Sequence, residues 1–144
     1  MKLGLCCDHA GFPLKMIIEG YLDSLGIEYV DFGCESTQSC DYPDYAHPCA
    51  EAVVRKDVDK AVALCGTGNG IAMTLNKHAG IRAAICWLPE LAQLAREHND
   101  ANVLVLPARF IDETAAIQAL DTFLQTEFAG GRHQRRIDKI DIKN

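Results

Sequence analysis

Cys65 heads the run Cys65-Gly66-Thr67-Gly68-Asn69-Gly70, the most chemically suggestive spacing in the chain. Glycines at alternate positions let several backbone N–H groups crowd one small space, with a helix N-terminus behind them. Such turns commonly cradle phosphate. The same donors would suit an oxyanion that forms during a reaction. A tight strand-to-helix turn that needs glycine only for its backbone is the plain structural alternative. A thiol at a strand end, beside a helix N-terminus, is expected to ionise below the ordinary ~8.5. Its thiolate could serve as nucleophile or base, with Thr67 two residues on to hold or relay a proton. A purely structural Cys65 would instead pack inward like its neighbours. The dinucleotide fingerprint G-x-G-x-x-G fails, because Ile71 stands where its third glycine belongs, and no G-x-x-x-x-G-K-[ST] occurs.

Other residues join this one as candidates. Asp8 and His9 follow the first apolar run, where Asp8 could orient a sugar hydroxyl and His9 could meet an anion; capping or surface roles are the alternative. Tyr42 precedes Pro43 and is therefore held extended just ahead of a helix, as a stacking or hydrogen-bonding wall. His98 and Asn99 close a helix, where a histidine gains from the dipole and can act as acid or base near neutral pH. Arg132, His133, Arg135 and Arg136 make a basic cluster, with Arg132 and Arg136 on one face if a helix begins there. Paired guanidiniums clamp phosphate well; a solvated tail is the bland reading. His47 and His78 have no company in sequence and read as surface.

The elements that must position these groups alternate. Apolar runs at 3–7, 28–32, 60–64, 82–87 and 102–106 read as strands. Helical spacing covers 12–25, 43–56, the stretch from the glycine turn to 78, 89–98 and 112–128, with Asp112 as N-cap of the last. The tail from Gly130 holds one further short helix at most. Strands alternating with helices mean βαβ units: an α/β protein with a five-stranded parallel sheet covered on both faces. No linker, repeat or low-complexity run divides residues 1–144, so one domain is expected. Ligands bind such sheets at the strands' carboxyl ends, which places Asp8–His9, the glycine turn and Arg109 together.

Composition narrows the classes. A net charge of −6 argues against a general nucleic-acid binder. No apolar run reaches the roughly 18 residues that span a membrane, so no membrane partner is expected. The N-terminus lacks a signal-peptide pattern, which makes the cytoplasm the expected compartment. Seven cysteines, an odd number without C-x-x-C or zinc-site spacing, argue against disulfides and metal. Cys6, Cys7, Cys65 and Cys86 sit in or beside apolar runs, where a thiol is a small hydrophobe; Cys65 is exempted for its turn.

Taken together, "CDHAGF", "DYPDYA", "CGTGNGIAMTLNK", "GIRAA", "REHNDANVLVLPAR" and "GGRHQRRI" resemble, in that order, the motifs of ribose-5-phosphate isomerase type B. Its wider family includes allose-6-phosphate isomerases and the subunits of galactose-6-phosphate isomerase. The resemblance runs from Leu3 to Ile140. It implies a three-layer α/β/α, Rossmann-like sandwich, working as a homodimer or a dimer of dimers with sites at the interface. It implies interconversion of ribose 5-phosphate and ribulose 5-phosphate, in the pentose phosphate pathway, without cofactor or metal. On this sequence it makes Cys65 the base that moves a proton between C2 and C1, and Thr67 its assistant. The amides of Gly66, Gly68, Asn69 and Gly70 would stabilise the enediolate. Asp8 and Tyr42 would touch the sugar, while His98, with Asn99 beside it, would help open the furanose ring. His9, Arg132 and Arg136 would hold the phosphate, the tail 130–144 contributing to that site, and Arg109 would reach it across the interface.

One branch of that family uses a glutamate directly after the glycine turn, but Ile71 occupies that position, leaving Cys65 as the only candidate base. The chain keeps the "GGRH" tail that galactose-6-phosphate isomerase subunits typically lack. "CWLPELA" departs from the more frequent Ser/Tyr-containing version, so a four- or six-carbon sugar phosphate (erythrose 4-phosphate or allose 6-phosphate) is the alternative substrate. Two other classes compete: a non-catalytic phosphosugar-binding module, and a thiol redox protein, which the missing C-x-x-C disfavours.

Overall fold

The structure, a computed structural model, describes residues 1–143. Five strands, β1 (Lys2–Cys7), β2 (Glu28–Asp31), β3 (Lys60–Cys65), β4 (Ala83–Ile85) and β5 (Val103–Pro107), form one parallel sheet in the order β2-β1-β3-β5-β4. Six helices accompany them: α1 (Phe12–Leu25), α2 (Tyr42–Val54), α3 (Asn69–Leu75), α4 (Pro89–Asn99), α5 (Glu113–Gln125) and α6 (Arg132–Ile137). This is the expected α/β/α sandwich.

Strand periodicity sorts the side chains into two cores. Ala61, Ala63 and Cys65 of β3 pack with Val103 and Val105 of β5 under α2 and α3. Val62 and Leu64 pack with Leu104 and Leu106 under α1, α4 and α5. Strands buried on both faces must be apolar throughout, which is why β1, β3 and β5 read as continuous runs. Edge strands β2 and β4 are shorter than their apolar patterns predict, because their ends lack a partner on one side.

The chain leaves β1 for β2 on one side, then crosses to β3 on the other. The switch point therefore lies between β1 and β3, and sheets of this kind bind ligands at the strands' carboxyl ends there. No helix among the described residues is long and apolar enough to cross a membrane.

Candidate active site

Hydrogen bonds that continue past the strand ends set the residues at the switch point. The Asp8 amide donates to Leu64 O at 3.2 Å, while the Ala108 and Arg109 amides donate to Cys65 O and Gly66 O at 2.9 and 3.0 Å. Asp8, the glycine turn and Arg109 thus stand side by side, as the strand order requires. Asp8 is 7 % exposed, and its Oδ1 accepts from the amides of Ala10 and Gly11 at 2.9 and 3.1 Å. The Asp8 carboxylate thus holds the turn that leads into α1, whose N-cap is Gly11, while its backbone is tied to the end of β3.

The three glycines of the turn have three different reasons. Gly68 has φ +80°, a left-handed conformation that favours glycine. A Cβ on Gly70 would lie 2.3 Å from the Tyr42 ring, so glycine there lets the ring lie on the turn. A Cβ on Gly66 would meet the Arg109 side chain at 3.3 Å. Tyr42 and Arg109 thus flank the turn of their own chain. Thr67 is exposed, and its Oγ1 accepts from the Asn69 amide at 3.2 Å.

Cys65 is the last residue of β3 and is only 4 % exposed, within the core under α2 and α3. Burial therefore does not separate it from the packing cysteines. Its position does: it directly precedes the glycine turn and shares its core with Tyr42.

His9 sits at the rim. Its Nδ1 accepts from the Cys40 amide at 3.2 Å, and Cys40 Sγ lies 3.9 Å from the same nitrogen. Cys40 belongs to the 34–41 loop, which sequence patterning shows only as polar and cysteine-containing.

His98 and Asn99 lie elsewhere. They end α4, which returns the chain to the amino end of β5, where the Ala61 amide at the start of β3 donates to Asn102 O at 3.0 Å. Cys65 pairs with Pro107 at the other end of that ladder, so the two groups are a strand length apart, roughly 15–20 Å. The end of α4 is held firmly: buried Arg96 donates to Asp100 Oδ1 and to the carbonyls of Ala101 and Thr126 at 2.8, 2.7 and 3.1 Å. Asp100 caps the helix at φ +44°. Nothing in the residue pattern singles out Arg96, since its burial depends on α5's end.

α6 packs beside α4 and brings Arg132 and Arg136, both exposed, to the same end. The His98 and His133 rings stack 4.3 Å apart and 15° from parallel. Burial, with the nearby positive charges of His98, Arg132 and Arg136, lowers the His133 pKa. One further histidine pair corrects the sequence reading. His47 and His78 are surface residues but not isolated, since His47 Nδ1 and His78 Nε2 share a 2.7 Å hydrogen bond between α2 and the segment after α3. No periodicity joins residues so far apart in sequence.

Three cavities line the free edge of β4. One of about 330 Å3 is bounded by Thr67, Asn69, Trp87 and Phe110. One of about 400 Å3 lies at Met73 and Ile85, and one of about 280 Å3 at Arg82, Asn99 and Ile140. This face thus carries the glycine turn at one end and Asn99 at the other. Among the described residues no group of three or more His, Cys, Asp or Glu is arranged to hold a metal ion.

The family model for Ribose/Galactose Isomerase matches residues 3–140. The chain belongs to the ribose/galactose isomerase family. Ribose-5-phosphate isomerase B of Escherichia coli (strain K12) is 44% identical over 139 residues, covering 96% of this chain and 93% of that protein. Among solved structures, the ribose 5-phosphate isomerase of Thermotoga maritima superposes with a TM-score of 0.96 at 48% identity, covering 97% of each chain. The Mycoplasma genitalium ribose-5-phosphate isomerase B with bound ribulose-5-phosphate gives 0.91 at 42% identity, covering 96% and 93%. The sandwich is thus that of the ribose/galactose isomerase family.

Proposed function

We propose that this protein is an aldose–ketose isomerase that interconverts ribose 5-phosphate and ribulose 5-phosphate, with Cys65 as the proton-transferring base. The substrate follows from its relatives: the Escherichia coli protein is 44% identical over nearly the whole length, and the Mycoplasma genitalium structure holds ribulose-5-phosphate. The observation that carries the chemistry is the place of Cys65 at the end of β3, between Asp8 and the glycine turn.

Isomerisation needs a base beside C2, a pocket for the oxygen that gains charge, and an anchor for the phosphate. In this reading Cys65 takes the proton from C2 and returns it to C1. The amides of Gly66, Gly68, Asn69 and Gly70 stabilise the enediolate, and Thr67 passes protons between its oxygens. Asp8 and Tyr42 orient the sugar. His9, Arg109, Arg132 and Arg136 hold the phosphate, and binding energy so far from the reacting carbons serves to place them. His98 assists ring opening, with Asn99 beside it.

A single chain holds these groups at opposite ends of its sheet. The homodimer reading resolves this. A two-fold axis across the free β4 edge would bring the Thr67–Asn69 end of one copy to the Asn99 end of the other, completing two sites at once. The unpaired strand, the exposed Trp87 and Phe110, and the cavities between them support burial of this face. Arg109, which lies on its own glycine turn, then sits where both copies meet. We read residues 1–144 as one domain whose basic tail from 130 serves the partner's phosphate site, in a pentose phosphate pathway enzyme.

Purified protein is expected to interconvert the two pentose phosphates in the presence of EDTA. Cys65→Ala should lower kcat by about 10^2–10^4-fold while binding of ribose 5-phosphate persists. Full turnover in that variant would remove the cysteine base. Binding without exchange of solvent protons at C1 or C2 would favour a non-catalytic sugar-phosphate module. Because Trp87 borders Thr67 and Asn69, kcat/KM across four-, five- and six-carbon aldose phosphates decides the sugar; a clear preference other than ribose 5-phosphate would change the substrate and keep the reaction.

A further inference from the structure

Lys15 is fully buried, and the chemistry above makes no use of it. It stands on α1, one turn after the Asp8–Gly11 loop, and its amide donates to Gly11 O at 2.9 Å. Its ammonium donates to Asp31 Oδ1 at 2.5 Å and to Cys34 O at 2.6 Å, and lies 5.6 Å from the centre of the Phe12 ring. The same Asp31 oxygen accepts from the Gly33 amide at 2.8 Å. One side chain thus ties the helix that follows His9 to the segment that begins the 34–41 loop.

That loop returns to His9. The Cys40 amide donates to His9 Nδ1 at 3.2 Å. A backbone N–H can only donate, so Nδ1 must be the bare nitrogen, and the ring proton resides on Nε2. A histidine held in this tautomer offers a single N–H donor in a fixed direction. A partner on one ring nitrogen sets which proton the other carries and where the ring points.

We infer that Lys15 is a positioning residue for the phosphate end of the site, acting through Asp31, Cys34 and the Cys40 amide to set the tautomer and aim of His9. The inference rests on the reading of His9 as a phosphate contact. An ammonium buried only for stability has little reason to be kept, since replacing a buried ion pair by apolar groups of similar volume is often neutral or stabilising. Here the charge does what an apolar side chain cannot: it binds a carbonyl and a carboxylate on the loop opposite its own helix. The clamp spans the two segments between which His9 lies.

The full chain serves for the test. Long-range nitrogen–proton correlation spectra read the His9 tautomer at a pH where the ring is neutral. Titration with inorganic phosphate reads the anion site without turnover. Wild-type protein is expected to show His9 protonated on Nε2 alone. Lys15→Met/Asp31→Asn removes both charges of the ion pair together, and the amide still offers Glu19 a hydrogen-bond partner. It should give a mixture of tautomers and about tenfold weaker phosphate binding. KM for ribose 5-phosphate should rise by a similar factor, with kcat less affected, whereas a merely structural role would move stability alone. An Nδ1–H tautomer in the wild type overturns the inference, and that measurement needs no variant to fold. So does a folded double variant with unchanged tautomer and phosphate affinity. A tautomer and phosphate shift in a protein that does not turn over ribose 5-phosphate would sustain the clamp and sink the substrate.

Discussion

Glu19 lies one helical turn beyond Lys15 on α1 and shares its neighbour, Asp31. Burial, a hydrogen bond to Asp31 and the charge of Asp31 push the Glu19 carboxyl up to about 7. Asp31 moves the other way: burial would raise it, but the hydrogen bonds from Glu19 and Lys15 prevail and hold it low. The pair therefore acts in two pH windows. Glu19 binds its proton more tightly folded than unfolded, so its contribution is full below its ordinary 4.5 and is lost as pH rises towards 7. The contribution of Asp31 is present above its ordinary 3.8 and is lost as pH falls below it. Glu19→Gln, which keeps a donor for Asp31, should flatten the fall in urea midpoint between about pH 5 and about pH 8. It should also be the more stable form at the upper end; an unchanged slope would exclude a shared proton. The residue pattern shows none of this. Periodicity assigns α1 an apolar face, yet Ile17 is 38 % exposed while Lys15 is 0 %. Whether a long polar stem turns inward depends on Asp31 and Cys34, which no local rule supplies.

Elements were far more legible than their partners. α1 spans Phe12–Leu25, as its apolar spacing and Gly26 predict, and Asp112 caps α5 by accepting from the Ala115 amide at 2.7 Å. α2 begins one residue early, at Tyr42, because Pro43 suits the first turn. The glycine turn was legible as a turn and illegible as a set of contacts, since Tyr42 comes from a different element, 24 residues before Gly66. That contact makes a prediction for the turn as a unit. Gly70→Ala should favour helix α3 by up to ~1 kcal/mol yet displace the Tyr42 ring, lowering kcat/KM about tenfold or more. If the ring is the cause, Tyr42→Ala and the double variant should lose similar amounts, because one contact cannot be lost twice. Additive losses would place the fault elsewhere in the turn.

At the scale of the molecule, the motifs appear in one chain but not at one place. Sequence gathers Asp8, His9, the glycine turn and Arg109 at one sheet edge by rule, and the structure agrees. His98, Asn99, Arg132 and Arg136 sit at the far edge because α4 must run back to start β5. A shared site makes a sharp expectation: Cys65→Ala and His98→Ala chains, each inactive alone, should regain about a quarter of wild-type activity when refolded together in equal amounts. Random pairing then gives half the dimers one intact site, and no recovery would refute the shared arrangement. A last consequence concerns sulfur. Six of the seven free cysteines are buried, Cys40 alone being partly open. Burial raises the thiols of Cys7 and Cys86, and a hydrogen bond with Cys49 together with burial raises that of Cys6. A protein so rich in thiols should nonetheless withstand air and storage well. Under native conditions an alkylating reagent should label Cys40 and, through the substrate's own route, Cys65, and the remaining five only on unfolding, so the labelling rate of those five doubles as a gauge of how often the chain opens.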